Sequence, residues 1–366
     1  MLIKVLLALV SLVAATVAGY VARNRYYFKW DGLRVKWAGF KEKQFRVNER
    51  TILNYGEGPN NGPALLLIHA QTSDWINYAR VLPAISKHYH IYVVDCHGHG
   101  QSSQNPQAYS ATAMGTDLVQ FIKQVIQEPA VVSGHSSGGL LTVWLAANAP
   151  EQVRGIVLED PPLFSSEFPR IQQTFNYVDL DINCHRFLNQ TEETDFPAFL
   201  FKNSYWLLFF KEARHKIIRY ALAYRRRHPQ QPLWIFFMPP VMNEMVRPIE
   251  TYDPHFGDTF YDGSWHKNFD HGEACSRITC PSVLIHAIWL YDENGILLGA
   301  MDGTEAERAR SLIKDTTFIK VKSGHGFHFE KPRQFIRIMV DFRRQIADQS
   351  VPSATAPRQS SAAVVR

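Results

Sequence analysis

The chain has 366 residues, of which 46% are hydrophobic and 13% aromatic, and its formal net charge is +5. This composition excludes a disordered chain and indicates a globular protein large enough to bury a sizeable core. The mild charge, without clustered Lys and Arg on a strongly basic domain, excludes an obvious nucleic-acid-binding surface. The four cysteines show no zinc-ligand spacing, so we expect free, buried thiols at Cys96, Cys184, Cys275 and Cys280.

The N-terminal residues 5–22, VLLALVSLVAATVAGYVA, carry no charge, and 18 residues are just long enough to span a membrane as a helix. The run is longer than usual for a signal peptide, and basic residues follow it (Arg23, Arg25 and Lys29). We therefore predict an uncleaved anchor over residues 1–25, with the main domain in the cytoplasm by the positive-inside rule. The alternative is a signal peptide cleaved near residues 17–19, which would make the protein secreted.

Strand and helix patterns alternate from residue 40 onward. Segment 44–57 predicts a β-hairpin, and helical patterns cover 75–86 and 112–126. Short apolar runs that end in polar residues, as buried parallel strands do, occur at 64–70, 91–96, 130–134, 155–160, 281–287 and 317–323. This alternation predicts an α/β fold with a doubly wound, mostly parallel sheet, whose ligands bind beyond the carboxyl ends of the strands.

The segment Gly134-His135-Ser136-Ser137-Gly138 lies between one predicted strand and an apolar helix, and it fits the pattern G-x-S-x-G. A nucleophile on a sharp strand-to-helix turn needs small neighbours, because Cβ atoms there would collide with adjoining strands. The turn also directs the first N–H groups of the helix toward the nucleophile, where an oxyanion can form. A glycine-rich turn with an incidental serine is the alternative interpretation.

Four sequence segments resemble motifs of the α/β-hydrolase superfamily, and they occur in the same order along the chain as in that superfamily. They are LLLIHAQTSDWINY, IYVVDCHGHGQSS, the G-x-S-x-G segment and SGHGFHFEKPRQF. Ala70 replaces the usual Gly of the first block, and His97 replaces the usual Arg of the second. The resemblance covers roughly residues 44–165 and 276–346, and it implies an α/β-hydrolase fold.

By this resemblance Ser136 is the nucleophile and His325 its general base. The oxyanion hole would consist of the backbone N–H groups of Gln71 and Ser137, and His69 would brace the loop that carries Gln71. Ala70 leaves the number of N–H groups unchanged, so it narrows the turn without abolishing the hole.

The other histidines receive structural interpretations. His328, three residues after the predicted base, is expected to line the pocket or cap a helix, and His135 to pack under the sheet or in the pocket wall. His97 and His99 look like a metal pair. Because no carboxylate lies at ligand spacing and glycines flank them, we favour a turn and predict no metal site.

The acid that orients the base is the least determined residue. Family members usually place it after the strand that follows the insertion, which favours Asp292. The rival is Asp160, which ends the strand immediately after the nucleophile helix, where some family members carry the acid. Asp302 looks like a helix N-cap with Glu305 in a capping box, and Glu159 is a further candidate.

Residues 163–275 interrupt the sheet pattern and are rich in aromatic residues, as in the cap of α/β-hydrolases. We expect a large, mostly helical cap domain over Ser136 that makes the pocket apolar. Its predicted helix at 203–227 carries Lys and Arg beside a Trp-Leu-Leu-Phe-Phe segment, which suits either an interfacial membrane helix or a solvated charged face. The core would then comprise residues 40–162 and 276–346, and the Ser-, Ala- and Pro-rich residues 347–366 a disordered tail.

The predicted activity is hydrolysis of a carboxylic ester, or a related acyl bond, of an apolar substrate through an acyl-enzyme. Serine as the nucleophile on the strand-to-helix turn argues against dehalogenase and epoxide hydrolase chemistry, because family members with those activities carry aspartate at this position. Hydrolysis of a thioester, lactone, amide or C–C bond, and a non-catalytic ligand-binding role, remain alternatives. No cofactor motif is present, so we expect no cofactor. The expected partners are a small apolar ester-like substrate and a membrane, without nucleic acid.

Overall fold

The computed structural model describes residues 1–349. The strands of this part are β1 Lys41–Arg46, β2 Ile52–Glu57, β3 Ala64–Ile68, β4 His90–Val94, β5 Ala130–His135, β6 Val153–Glu159, β7 Ser282–His286, β8 Leu290–Tyr291, β9 Leu297–Leu298 and β10 Thr316–Lys320. Within it, eight strands form one sheet in the order β1-β2-β4-β3-β5-β6-β7-β10. β1 and β2 pair antiparallel, as do β2 and β4, and the remaining pairs are parallel. The predicted hairpin and mostly parallel sheet are therefore confirmed.

The helices flank this sheet. They are α1 Leu2–Trp37, α2 Leu82–Ile85, α3 Ala111–Phe121, α4 Ser137–Asn148, α5 Ile182–Leu188, α6 Phe196–Asn203, α7 Arg214–Arg227, α8 Pro240–Glu244, α9 Pro254–Tyr261, α10 His271–Arg277, α11 Gly303–Leu312, α12 Phe327–Glu330 and α13 Pro332–Gln349. Short 3₁₀ or π segments occur as well, among them 75–80 and 205–213.

Strand β3 shows why the sheet needs helices on both faces. Its five residues, ALLLI, are all buried, and successive side chains of a strand point to opposite faces. Leu66 and Ile68 accordingly pack in one apolar cluster with α3 and α4, whereas Leu65 and Leu67 pack in another with α2 and α13. The elbow between β5 and α4 thus lies at the centre of a sheet that is covered on both sides.

The N-terminal helix α1 is one continuous helix of 36 residues, longer than the predicted anchor. An 18-residue window within it is apolar enough to cross a membrane and is entirely unburied. Farther along the helix, Asn24, Tyr27, Asp31 and Val35 are buried. Their spacing of three and four residues marks one helix face, so the second half of α1 packs against the rest of the protein.

Between β6 and β7 the chain forms a helical insertion that contains α5 to α10. The cap predicted at 163–275 falls within it, although α10 ends at Arg277. The single helix predicted at 203–227 is wrong. A 3₁₀ segment covers Tyr205–Ala213, Lys211 within it has a positive φ of 45°, and α7 then begins at Arg214. No Gly or Pro marks this break in the sequence, so the helical pattern continued through it.

Two further predictions concern cysteines and the C-terminus. All four cysteines are free as predicted, although Cys280 is only half-buried. Helix α13 extends to Gln349, so residues 347–349 of the predicted tail are helical, and residues 350–366 lie outside the described part.

Candidate active site

Ser136 lies on a strained turn between β5 and α4. Its backbone has φ 54° and ψ −121°, a region that non-glycine residues rarely adopt. The neighbouring chain is close: a Cβ added at Gly138 would overlap the carbonyl oxygens of Ile68 and His69. The Ser136 N–H donates to the Glu159 carbonyl oxygen at 3.0 Å, which holds the turn against β6. The small residues predicted around Ser136 are thus required by close approach of the backbone.

A cavity of ≈ 370 Å³ lies above this turn, which is within the range of ligand sites. Ser136, Ser137, His135, Gln71 and His325 all line it. The helical insertion supplies much of the apolar lining, which includes Ile171, Phe175, Leu180, Leu200, Phe201, Trp206, Val241, Met245, Val246, Ile249 and Phe260. The predicted nucleophile, base and oxyanion residues are therefore brought to one cavity under the insertion.

His325 lies in the loop between β10 and α12, and its ring contacts Asp160. Nδ1 of His325 donates to Oδ2 of Asp160 at 2.7 Å. The other carboxylate oxygen, Oδ1, accepts from the backbone N–H of Ala287 at 3.0 Å. Asp160 is 1% exposed, whereas the His325 side chain is 42% exposed at the cavity. Because a carboxylate only accepts, Nδ1 carries the proton and Nε2 is left free to take one.

The structure corrects the favoured position of the acid. Asp292 lies in the turn between β8 and β9, where Oδ1 accepts from the backbone N–H groups of Asn294 and Ile296, each at 2.9 Å. Its Oδ2 accepts from the Tyr205 hydroxyl at 2.6 Å. The geometry therefore favours the alternative, Asp160, which follows β6 and contacts His325 across the end of β7, the strand between β6 and β10.

The remaining two candidates for the acid also have other partners. Asp302 is the N-cap of α11 and forms a capping box with Glu305, as predicted. Glu159 accepts at 2.8 and 2.9 Å from Nδ1 of His328, and the His328 backbone N–H donates to it at 2.8 Å.

The pair of Glu159 and His328 was not anticipated. Both side chains are fully buried, and His328 is absent from the cavity lining, so it does not line the pocket as predicted. Nε2 of His328 lies 2.8 Å from Oδ1 of Asn77, whose amide nitrogen donates to Glu244 at 3.0 Å. Both ring nitrogens thus lie within hydrogen-bond distance of an oxygen atom. A Glu one residue before Asp160 and a His three residues after His325 were the available sequence signal.

The oxyanion positions are built by two turns. Ser137 is the first residue of α4, where N–H groups have no acceptor within the helix. Gln71 follows His69 and Ala70 in a loop whose next residue, Thr72, has a positive φ of 52°. His69 braces this loop as predicted: its Nε2 accepts from the Cys96 N–H at 2.9 Å and its Nδ1 donates to the Ala70 carbonyl at 2.7 Å.

The charges around the base favour proton uptake. Burial by itself would lower the pKa of His325, but its hydrogen bond to Asp160 and the Asp160 charge outweigh burial and raise that pKa above its usual value. For Asp160 the two effects have the opposite signs. Burial by itself would raise its pKa, but the neighbouring His286 and His325 rings hold that pKa below its usual range. His286 Nδ1 stands 3.5 Å from Asp160, so the shorter contact to His325 is the dominant one. Asp160 is therefore ionised and can stabilise a protonated His325.

The remaining histidines have structural partners. His135 lies in the cavity wall, as predicted, and its Nε2 donates to the His325 carbonyl at 2.9 Å. Burial lowers the pKa of His135 to about 3, so the ring is neutral. His97 pairs with Asp117 at 2.8 Å, and His99 accepts from the Thr72 N–H at 3.2 Å. Residues 1–349 contain no group of three or more potential metal ligands.

Comparisons with known proteins agree with this architecture. The profile of the α/β-hydrolase fold family matches residues 63–332. The magnesium-chelatase 30 kDa subunit of Rhodobacter capsulatus is 33% identical over 94 residues, 25% of this chain and 33% of that protein. 2-(Acetamidomethylene)succinate hydrolase of Mesorhizobium japonicum is 31% identical over 111 residues, 30% of this chain and 40% of that protein. The chain thus matches two fifths or less of the length of these relatives.

The fold also resembles a solved structure described as a membrane phospholipase A. The two share 20% sequence identity, a TM-score of 0.59 and coverage of 93% of this chain and 99% of the other. At that identity the likeness concerns the fold. With the family profile spanning well over half of its length, the chain belongs to the α/β-hydrolase fold family.

Proposed function

We propose that this protein is a serine hydrolase that cleaves a carboxylic ester of an apolar substrate through an acyl-enzyme. The observation that carries the proposal is the 2.7 Å hydrogen bond between His325 and the buried Asp160, beside a cavity that also holds Ser136 on its strained turn. Hydrolysis as the general activity is supported by the family and by relatives such as the succinate-derivative hydrolase. Carboxylic ester as the bond rests on the chemistry of the site.

The first half of the reaction follows from the positions of three side chains. Ser136 Oγ attacks the ester carbonyl carbon while Nε2 of His325 accepts the hydroxyl proton. Asp160 stabilises the resulting imidazolium, and the N–H groups of Gln71 and Ser137 bind the oxyanion. The ester C–O bond then breaks, and the alcohol leaves with the proton from His325.

The second half uses the same groups with water as the nucleophile. Water attacks the acyl carbon, His325 takes one of its protons, and a second tetrahedral intermediate forms. Its collapse breaks the bond to Ser136, which recovers its proton from His325, and the carboxylic acid is released. Atoms balance as ester and water in, alcohol and acid out.

The cavity lining favours an apolar acyl or alkyl group. The insertion contributes side chains such as Leu180, Leu200, Phe201 and Trp206 above Ser136, so we assign it the role of a cap.

A membrane location is part of the proposal. The first half of α1 has the length and hydropathy of a membrane span. Arg23, Arg25 and Lys29 follow it, and by the positive-inside rule they favour a catalytic domain in the cytoplasm.

Labelling with a fluorophosphonate probe tests the nucleophile, with Ser136→Ala and its matched neighbour Ser137→Ala. We expect Ser136→Ala to lose labelling and at least about three decades of turnover on p-nitrophenyl butyrate. Ser137→Ala should keep most of both, because only its backbone N–H takes part. Labelling that persists in Ser136→Ala would exclude this serine, and a series of p-nitrophenyl esters of increasing chain length then ranks the acyl groups.

A further inference from the structure

Helix α1 is divided by its contacts into an exposed half and a docked half. Residues 2–19 are exposed throughout, and as a helix they are about 27 Å long, close to the hydrocarbon thickness of a bilayer. Docking begins at Tyr20, whose hydroxyl donates to the Phe237 carbonyl at 3.0 Å. One turn later Asn24 donates to the Phe236 carbonyl at 3.2 Å. If residues 2–19 span a membrane, Phe236 and Phe237 therefore lie at its surface.

The same segment leads directly into the wall of the cavity. Helix α8 begins three residues after Phe237, and Val241 and Met245, four residues apart on one face, line the cavity that contains Ser136. Among the described residues, they are the only large apolar cavity-lining side chains that are also exposed, at 37% and 40%. Phe236 and Phe237 are exposed by 36% and 39%. Phe236 and Phe237 contact each other, with ring centroids 5.2 Å apart. These four exposed apolar residues, all within positions 236–245, are called the mouth surface.

Polar contacts fix α8 to α1 and to the core. The Tyr27 hydroxyl of α1 donates to Glu244 at 2.6 Å, and Asn77 and Arg247 donate to the same carboxylate at 3.0 and 2.8 Å. Arg247 also makes two hydrogen bonds to Asp74, at 2.7 and 2.9 Å. Glu244 lies on α8 between Val241 and Met245, so these bonds set the height of the cavity rim relative to α1.

That height can be worked out from the helix. Tyr27, which holds α8, is seven residues beyond Tyr20, or about 10 Å along the axis. The interfacial layer of a bilayer adds roughly 5–8 Å to each side of the hydrocarbon core. If α1 is tilted from the bilayer normal, Tyr27 lies less than about 10 Å above the hydrocarbon core. If residues 2–19 span a membrane, this height places the part of α8 that Tyr27 holds near the outer edge of the headgroup layer.

The helix that contacts Phe236 and Phe237 also carries exposed basic side chains. The Tyr220 ring of α7 packs against Phe236 and Phe237, with centroids 5.3 and 6.0 Å apart. This helix also exposes a set of basic residues, Lys216, Arg219, Arg226 and Arg227. Arg225 of the predicted basic face is instead paired with Asp195 and Glu250. The exposed cations complement the anionic lipids of a membrane surface.

We propose that the substrate is an acyl ester of a membrane lipid, and that it moves from the bilayer spanned by α1 across the mouth surface into the cavity of Ser136. The inference rests on the proposed function and adds its substrate class and route. An acyl chain can leave the hydrocarbon layer along Phe236 and Phe237 and pass Val241 and Met245 with little exposure to water. Its ester carbonyl then reaches Ser136, and hydrolysis releases a fatty acid and a lysolipid.

The test uses the full-length protein in vesicles of dioleoylphosphatidylglycerol and dioleoylphosphatidylcholine. Released oleate is measured by mass spectrometry, and hydrolysis of p-nitrophenyl butyrate is measured on the same samples. The variant carries Phe236→Asp and Phe237→Asp together. Neither side chain lines the cavity, so fluorophosphonate labelling of Ser136 should persist and show that the site is intact. The matched control is Leu290→Asp, which changes an equally apolar residue, 50% exposed, on strand β8.

We expect the double variant to release oleate at least about tenfold more slowly, because two carboxylates are repelled by the anionic interface and disfavour acyl-chain passage. Its rate on the soluble butyrate ester should stay near that of the unmodified protein, and Leu290→Asp should change neither rate. If Leu290→Asp lost oleate release while the double variant retained it, the route across Phe236 and Phe237 would be overturned. Butyrate hydrolysis without any oleate release would overturn the lipid substrate alone, whereas loss of both in the unmodified protein would overturn the serine hydrolase itself.

Discussion

Replacing Asp160 by Asn removes the charge of the acid while keeping its shape. Oδ1 of Asp160 accepts from the Ala287 N–H at 3.0 Å, and Oδ2 accepts from His325 Nδ1 at 2.7 Å. An Asn can keep the bond to Ala287 with its oxygen, but it then presents its NH₂ group to His325. Nδ1 would have to become an acceptor, so the proton would move to Nε2, the nitrogen that must take the proton of Ser136.

We therefore expect turnover of Asp160→Asn to fall by about four decades, or roughly 5 kcal/mol of transition-state stabilisation. The assay is kcat/KM on p-nitrophenyl butyrate between acid and neutral pH, together with the melting temperature. The base must be neutral, and Asp160 raises the pKa of His325. The rate of the unmodified enzyme should thus decline as pH falls through a pKa above about 6.5, and the residual activity of the variant should decline only at lower pH.

Asp292→Asn is the matched control. Its carboxylate accepts hydrogen bonds from a local turn and from Tyr205, most of which an amide oxygen can retain. We expect turnover within about tenfold and a stability change of about 1 kcal/mol or less. If instead Asp292→Asn were inactive and Asp160→Asn retained turnover, the assignment of the acid to β6 would be refuted.

Three other changes test the supporting structure. Gly138→Ala should destabilise the fold by about 1–3 kcal/mol, because the added Cβ overlaps backbone carbonyls, whereas Gly32→Ala has no neighbour within 4 Å and should not; equal melting temperatures for the two would contradict the close approach. Glu159→Gln should cost about 1–3 kcal/mol in urea unfolding, since an amide cannot accept with both terminal atoms the hydrogen bonds that the buried His328 makes to the carboxylate. Burial would raise the pKa of Glu159, but the neighbouring His328, with its hydrogen bonds to the carboxylate, lowers that pKa below its usual value. The stabilisation by Glu159 is therefore present above about pH 4.5 and is lost as pH falls through the folded pKa; a variant whose acid stability matches that of the unmodified protein would contradict it. Protein lacking residues 1–19 should leave the membrane or remain only peripherally bound. Its hydrolysis of p-nitrophenyl butyrate should be retained, because the docked half of α1 stays in place. If N-terminal sequencing of the native protein began near residue 19 or 20, the segment would instead be a cleaved signal peptide.

Local patterns predicted most of the fold. The apolar run at 64–70 is β3 at Ala64–Ile68, and the run at 155–160 is β6 at Val153–Glu159. Each strand could be predicted because its signal is local, namely a short run of apolar side chains that ends in a polar residue. The strained turn at Ser136 was equally accessible, because the need for small residues is expressed within five consecutive positions.

Pairings between distant parts of the chain were decided by the tertiary structure alone. Asp160 and His325 are separated by 165 residues and Glu159 and His328 by 169, and both contacts depend on which strand neighbours which in the sheet. The usual position of the acid in the family favoured Asp292, but Asp160 at the end of β6 contacts His325, and Asp292 lies in the turn between β8 and β9.

The second half of α1 gives the same lesson. The apolar first half of α1 can be recognised from hydropathy, because hydropathy is a property of each residue type. Docking through Tyr20, Asn24 and Tyr27 involves polar groups whose partners lie more than 200 residues away. A hydrogen bond is specified by two positions in space, so only the folded chain could show that α1 is hydrogen-bonded to the rim of the candidate active site.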